Sequence, residues 1–262
     1  MKIFHIDAFT NVPFRGNPAA VCILEKEMPD AWMQNVAFEM NLSETSFVLP
    51  GPEESNIRFF TPAAAIPLCG HATLSTAHVF YESGIADSSG EIVFLSKAGK
   101  LRIRKNGTWI VMNFPAYSCR VADVPSNIEE IAGVRPEGVF ETGHGWKLIL
   151  LKQESELRRM KPDPKVLVAN GFGDLIVTAP SDDPKFDFTV RCFAPALGID
   201  EDPVTGSAHC SLTPFWNLRT GKTSMVSHQV SSRGGILRVE LKGDRVEVAG
   251  EAKTIFSGEL FI

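Results

Sequence analysis

Ile57-Arg58-Phe59-Phe60-Thr61-Pro62 and Val190-Arg191-Cys192-Phe193-Ala194-Pro195 are two versions of one pattern, 133 positions apart. Further along, Gly70-His71-Ala72 answers to Gly206-Ser207-Ala208 at a spacing of 136. That spacing then holds for Gly99 with Gly235, Leu101-Arg102-Ile103 with Leu237-Arg238-Val239, and Gly107 with Gly243. The step from 133 to 136 places a net insertion of three residues between Pro195 and Gly206. One short match carries little weight, but a register kept over about 40 residues with its turn glycines marks a duplication. The period is too long for a solenoid, so two homologous lobes are expected.

Each lobe shows the same order of elements. Phe4–Phe9 and Ala20–Leu24 read as strands, with Gly16-Asn17-Pro18 turning between them. Trp32, Met33, Val36, Ala37 and Met40 fall at helical spacing within 29–41. Strands follow over 45–49 and 57–60, then a helix over 69–83 closed by Gly84, then a meander over 91–95, 100–104 and 109–114. In the second half, strands are expected over 146–152, 175–178 and 188–193, and a helix over 207–219 that carries Pro214. The meander repeats over 229–232, 236–241 and 245–249. The fold class is therefore α/β (α+β), each lobe a curved sheet wrapped on a central helix. The expected division is 1–117 and 118–255, with a final strand over 256–262 returning to the first lobe.

The bulk properties exclude several functions. The chain has 262 residues, 44% hydrophobic and 22% charged, with a net charge of −5 and no block of like charges. Nucleic acid is not an expected partner, because its phosphates demand a basic face. No stretch approaches the roughly 20 apolar residues of a membrane helix, and the N-terminal run lacks the pattern of a signal peptide. Cys22, Cys69, Cys119, Cys192 and Cys210 are odd in number and scattered. That argues against a disulfide framework or a structural zinc site, and for a cytoplasmic protein with reduced thiols.

Chemistry-bearing residues gather at equivalent loops. Both central helices open with glycine among small or polar residues: Cys69-Gly70-His71-Ala72-Thr73 and Val204-Thr205-Gly206-Ser207-Ala208. Helix N-termini offer unpaired amides, and glycine admits a ligand to the backbone. Two of them facing each other would grip a carboxylate, so the working site is expected between the halves. Glu44 lies where a helix hands over to a strand, Asp202 in the inserted stretch, and His71 at a helix start that would lower its pKa. Each has an ordinary alternative: a solvated carboxylate, a turn residue before proline, a capping histidine. Asn17 reads more simply as a turn residue than as a ligand. His71 and His78 stand seven apart without a third ligand, so no metal is expected. Cys69 precedes the helix, a favourable place for a low-pKa thiolate, but the second lobe has no matching cysteine.

At these residues the sequence resembles the PhzF-like (phenazine biosynthesis-like) family of the diaminopimelate epimerase fold. The matching motifs are Ile6-Asp7-Ala8-Phe9-Thr10, Gly16-Asn17-Pro18-Ala19-Ala20-Val21, Asn41-Leu42-Ser43-Glu44-Thr45, Phe60-Thr61-Pro62, Leu68-Cys69-Gly70-His71-Ala72-Thr73 and Asp202-Pro203-Val204-Thr205-Gly206-Ser207-Ala208. The resemblance implies a cofactor-free isomerase, commonly a homodimer, acting on a small carboxylate such as a dihydro-hydroxyanthranilate. It assigns the proton-shuttling acid/base to Glu44, and binding or polarising roles to His71, Asp202 and Ser207. Asn17, Gly70, Ala72, Thr73, Thr205 and Gly206 follow as substrate-binding positions. Relatives usually carry a glutamate where this chain has Ala65. A carboxylic acid enclosed in a closed cleft is expected to have a raised pKa, suited to taking and returning a proton. Two other readings remain: a racemase or epimerase using Cys69, and a silent metabolite-binding protein.

Overall fold

The computed structural model describes residues 1–87 and 89–261. The chain divides into two compact units, Met1–Asn113 with Ala249–Ile262, and Phe114–Val248. The changeovers fall near 113 and 248, against 117 and 255 expected from the sequence.

In the first unit the elements are β1 (Lys2–Ala8), β2 (Asn17–Ile23), α1 (Asp30–Met40), β3 (Glu44–Leu49), β4 (Ser55–Phe60), β5 (Ala65–Ile66), α2 (Gly70–Glu82), β6 (Ile92–Ser96), β7 (Gly99–Asn106) and β8 (Trp109–Pro115). β2 runs antiparallel to β1 and parallel to β3. β4 is antiparallel to β3 and parallel to β6, which pairs antiparallel with β7. β2 is buried on both faces, so Ala19, Ala20, Val21 and Cys22 show no polar alternation. Ala20 and Cys22 pack with Met33, Val36 and Ala37 of α1 and with Phe47 and Phe60. α2 covers the sheet at β1, β2 and β3 and is buried almost all round. Two of its buried hydroxyls bond within the helix: Thr73 and Thr76 donate to the carbonyls of Cys69 and Ala72, at 2.6 and 2.8 Å.

In the second unit the order is β9 (Cys119–Ala122), α3 (Ile128–Ala132), β10 (Gly138–Thr142), β11 (Lys147–Leu150), α4 (Glu154–Arg159), α5 (Pro164–Ala169), β12 (Leu175–Pro180), β13 (Phe188–Ala194), β14 (Ile199–Asp202), α6 (His209–Thr220), β15 (Ser224–Gln229), β16 (Gly235–Lys242) and β17 (Arg245–Gly250). β11 is parallel to β12, β12 antiparallel to β13, β13 parallel to β15, and β15 antiparallel to β16. This is the pairing series of β2, β3, β4, β6 and β7, so the duplication read from the sequence is a duplication of topology. The lobes differ in their covering layer. Where the first unit uses α1, the second packs Ile131 of α3, Leu157 of α4 and Leu167 of α5 on Ile149, Leu175 and Val177.

The structure corrects several expected elements. Asn17 is not in a turn but opens β2 and is fully buried. The turn falls earlier, at Gly16. Its φ of +68° and the 2.1 Å approach that a Cβ there would make to the Ala8 carbonyl oxygen exclude any side chain. The second central helix begins at His209 rather than at 207. Its preceding turn uses tighter i→i+3 bonds, His209 to Gly206, Cys210 to Ser207 and Ser211 to Ala208. Pro214 sits inside α6 and has no N–H to donate to the Cys210 carbonyl, which accepts the Tyr117 amide instead, at 2.9 Å. The strand expected over 229–232 lies at Ser224–Gln229, where two inward residues, Ser227 and Gln229, are polar and masked the pattern. The return strand, β18 (Ala252–Glu259), starts earlier than 256 and pairs antiparallel with β1 within the first unit. Its mostly exposed residues left no alternation to read, and Ile262 lies outside the described residues.

Candidate active site

Glu44 owes its place to a handover between two elements. Asn41 ends α1 with φ +50°, a left-handed conformation that asparagine tolerates, and its N–H closes on the Ala37 carbonyl. Three residues later Glu44 opens β3, held in parallel register opposite Ala19 of β2. His71 enters the same place from α2, whose N-cap residue is Cys69 with an extended backbone and no side-chain cap. The first turn of α2 therefore presents Gly70 and His71 amides that no capping side chain occupies, while the Ala72 amide lies against the Cys69 thiol.

Three groups of the first unit meet here. His71 Nε2 stands 3.0 Å from Glu44 Oε2, both residues more than nine-tenths buried. Oε2 is held by this ion pair rather than by a well-directed hydrogen bond. Cys69 Sγ lies 3.5 Å from His71 Nδ1 and 3.9 Å from Nε2. Ser43 Oγ, from the same motif as Glu44, is 3.4 Å from each of Asn17 Oδ1, the Pro18 carbonyl oxygen and His71 Nε2. Ser43 did not figure among the expected catalytic residues, and Cys69 figured only in the alternative racemase or epimerase reading. The signal for Ser43 was its place beside Glu44.

The electrostatics reverse three expectations. Burial favours the neutral Glu44 carboxyl and is the largest single influence, but the facing His71 charge together with hydrogen bonding from His71, Ser43 and Cys69 outweighs it and holds the pKa below the usual 4.5. Burial also opposes a charged His71, yet its charge and hydrogen-bond interactions with Cys69 and Glu44 together raise its pKa well above 6.5. A helix start is thus the weaker influence on this ring. Burial, reinforced by the Glu44 charge, pushes the Cys69 thiol up rather than down. The resting pair is a carboxylate facing an imidazolium beside a protonated thiol.

The other expected site residues lie in the second unit. Asp202 ends β14 and accepts the Thr205 hydroxyl at 2.5 Å. Gln229 brackets this turn: its Oε1 accepts the Thr205 amide at 2.8 Å and its Nε2 donates to the Asp202 carbonyl at 2.7 Å. Gly206 is buried and Ser207 is exposed. His209 is fully enclosed, with Nδ1 3.0 Å from the Thr205 carbonyl oxygen and Nε2 2.8 Å from Ser227 Oγ. Burial lowers its pKa to about 4, so it is a neutral structural residue. In the first unit, Thr73 spends its hydroxyl on its own helix, Ala72 is wholly buried, and Ala65 is exposed on β5.

A mixed α/β scaffold with a buried carboxylate–imidazolium pair at the start of its central helix defines the class. The chain belongs to the phenazine biosynthesis-like (PhzC-PhzF) family, whose model matches residues 6–258. A curated relative, named an uncharacterized isomerase of Halalkalibacterium halodurans, is 41% identical over 261 residues, covering 99% of this chain and 98% of the relative. The crystal structure of a phenazine biosynthesis protein of the PhzF family from Enterococcus faecalis is 38% identical, with a TM-score of 0.95 over 100% of this chain and 99% of that one. A hydroxyproline epimerase from Agrobacterium vitis shares the fold alone, at 12% identity and a TM-score of 0.64, covering 98% of this chain and 91% of that one. The protein is thus an enzyme of a family in which three of the curated relatives are named uncharacterized isomerases. Among the described residues, no helix is long and apolar enough to cross a membrane.

Proposed function

We propose that this enzyme isomerises a small carboxylate-bearing metabolite, of the dihydro-hydroxyanthranilate kind, by moving one proton between carbons. The observation that carries the reading is the buried Glu44 carboxyl 3.0 Å from His71, with the pKa of the acid held low and that of the imidazole raised. Glu44 Oε2 takes a proton from a substrate C–H, and the bonding electrons move into the adjacent conjugated system. The same carboxylic acid then returns the proton at another carbon, restoring the carboxylate. His71 favours the ionised base before transfer and offers positive charge to the substrate anion that follows. These steps draw on side chains and require no cofactor. The uncapped amide of Gly70 suits a substrate carboxylate, and Ala72 is assigned a contact there on the family motif. Asn17, Thr73, Asp202, Thr205, Gly206 and Ser207 are assigned substrate contacts on the family motifs alone, as are a homodimer and a cytoplasmic location.

The test is deuterium incorporation from solvent into a turned-over dihydroaromatic carboxylate. Glu44→Gln is expected to abolish incorporation while leaving ligand affinity mostly intact. Full exchange in that variant would sink the mechanism. The thiol-based alternative is disfavoured by the raised pKa of Cys69. Retained exchange in Cys69→Ser is expected, and its loss with Glu44 intact would favour that alternative.

A further inference from the structure

We propose that Glu44, Cys69 and His71 form a binding site for a thiophilic divalent cation, with Zn²⁺ as the reference ion, whose occupancy silences the enzyme. The silencing clause rests on the reading that Glu44 carries the proton. The binding clause does not.

Among the described residues these three side chains are the one group of three metal-type donors, with their ligand atoms all within 4.8 Å of one another. Zinc bonds of about 2.0–2.1 Å to nitrogen and oxygen and about 2.3 Å to sulfur, at tetrahedral angles, set ligand-to-ligand edges of roughly 3.3 to 3.6 Å. The nitrogen–oxygen edge here is 3.0 Å and the nitrogen–sulfur edge 3.9 Å from Nε2. Adjustments of a few tenths of an ångström close both. The carboxylate oxygen facing this space is buried and held by the His71 ion pair without a well-directed hydrogen bond, so a cation that displaces the imidazolium proton can take its place. Three protein donors also leave a fourth position for water, the pattern of an exchangeable rather than a structural site. The sulfur, nitrogen and oxygen set selects Zn²⁺ or Co²⁺ over Mg²⁺ and Ca²⁺, which take oxygen donors.

Binding converts the Cys69 thiol to a thiolate and the His71 imidazolium to a neutral ligand. Each releases its proton to solvent, and no oxidation state changes. The cation then occupies the Glu44 oxygen that would receive the substrate proton. His78 is not part of this group: its Nε2 lies 3.0 Å from Thr254 Oγ1 and 3.6 Å from Glu82.

The test is titration of the metal-stripped full chain with Co²⁺. One equivalent is expected to produce a near-ultraviolet thiolate-to-cobalt band, displaced by Zn²⁺. Cys69→Ser should lose that band and bind Zn²⁺ at least tenfold more weakly. Glu44→Gln should keep the band but also weaken Zn²⁺ at least tenfold, giving a second reading if the serine variant does not fold. Cys119→Ser, which changes a half-buried thiol outside the group, should bind as the parent does. No band in the parent, or a band that survives Cys69→Ser or is lost in Cys119→Ser, overturns the site. Saturating Zn²⁺ should slow solvent-deuterium exchange at least tenfold, and unchanged exchange overturns the silencing. A chain that binds Co²⁺ through Cys69 but exchanges no deuterium in metal-free buffer refutes only the proposed isomerase. Exchange without a cobalt band refutes only the metal site.

Discussion

Replacing Glu44 by glutamine removes one charge from a buried pair while keeping the side chain's size. At the 3.0 Å separation from His71, an effective dielectric constant of about 20 gives a gross attraction of about 5 kcal/mol. Desolvation of both ions offsets part of this, and stranding the imidazolium is expected to cost about 3 kcal/mol of stability. The pH at which the loss appears follows from the two shifts. Glu44 has a folded pKa below 4.5, so its contribution is present above that value and is lost as pH falls through the folded pKa. His71 has a folded pKa above 6.5, so its contribution is complete below 6.5 and is lost as pH rises through the folded pKa. Both contributions are whole between 4.5 and 6.5. Urea unfolding of parent and variant across pH should therefore show the largest difference in that window, shrinking towards alkaline pH. The His71 ring resonance, followed by NMR, should titrate at lower pH in the variant. A stability difference independent of pH, together with an unmoved His71 midpoint, would refute the ion pair.

Other consequences are separable. His209 is neutral in the fold with a pKa of about 4 against an ordinary 6.5, so the unfolded chain binds the extra proton between those values. About 3 kcal/mol of stability should be lost as pH falls through that interval, and His209→Gln should flatten this part of the unfolding profile. Gly16→Ala meets both a φ of +68° and a Cβ 2.7 Å from Thr10 Cγ2. It should cost about 2–4 kcal/mol in urea unfolding and shift Asn17, seen as weakened ligand binding. Cys69, buried with a raised pKa, should react with iodoacetamide at least tenfold more slowly than a free thiol at neutral pH, accelerating as pH rises. Peptide mapping measures it, and rapid neutral alkylation would contradict its placement.

The sequence by itself determined the duplicated α/β order, because β4 and β13 keep one hydrophobic pattern and β7 and β16 one set of turn glycines. It also singled out Glu44 and His71, since each lies at an element boundary within a specific motif. It pointed to β15 and β18 but could not place their bounds: a strand announces itself by alternating burial, and these carry polar residues inward or lie mostly exposed. Nor could it show Asn17 as a buried strand residue, because Gly16-Asn17-Pro18 has turn composition and only the close approach of Gly16 to the Ala8 carbonyl places the turn one residue earlier. The protonation states belonged wholly to the tertiary structure. Read along the chain, Glu44 is an enclosed acid, His71 a helix-start base and Cys69 a helix-start thiol, each with its own expected shift. Glu44 and Cys69 are 25 residues apart in sequence, and packing α2 against β3 puts them in contact with one imidazole. Coulomb interaction at about 3 to 4 Å in a buried setting then outweighs the local helix effect, and that distance is a property of the fold.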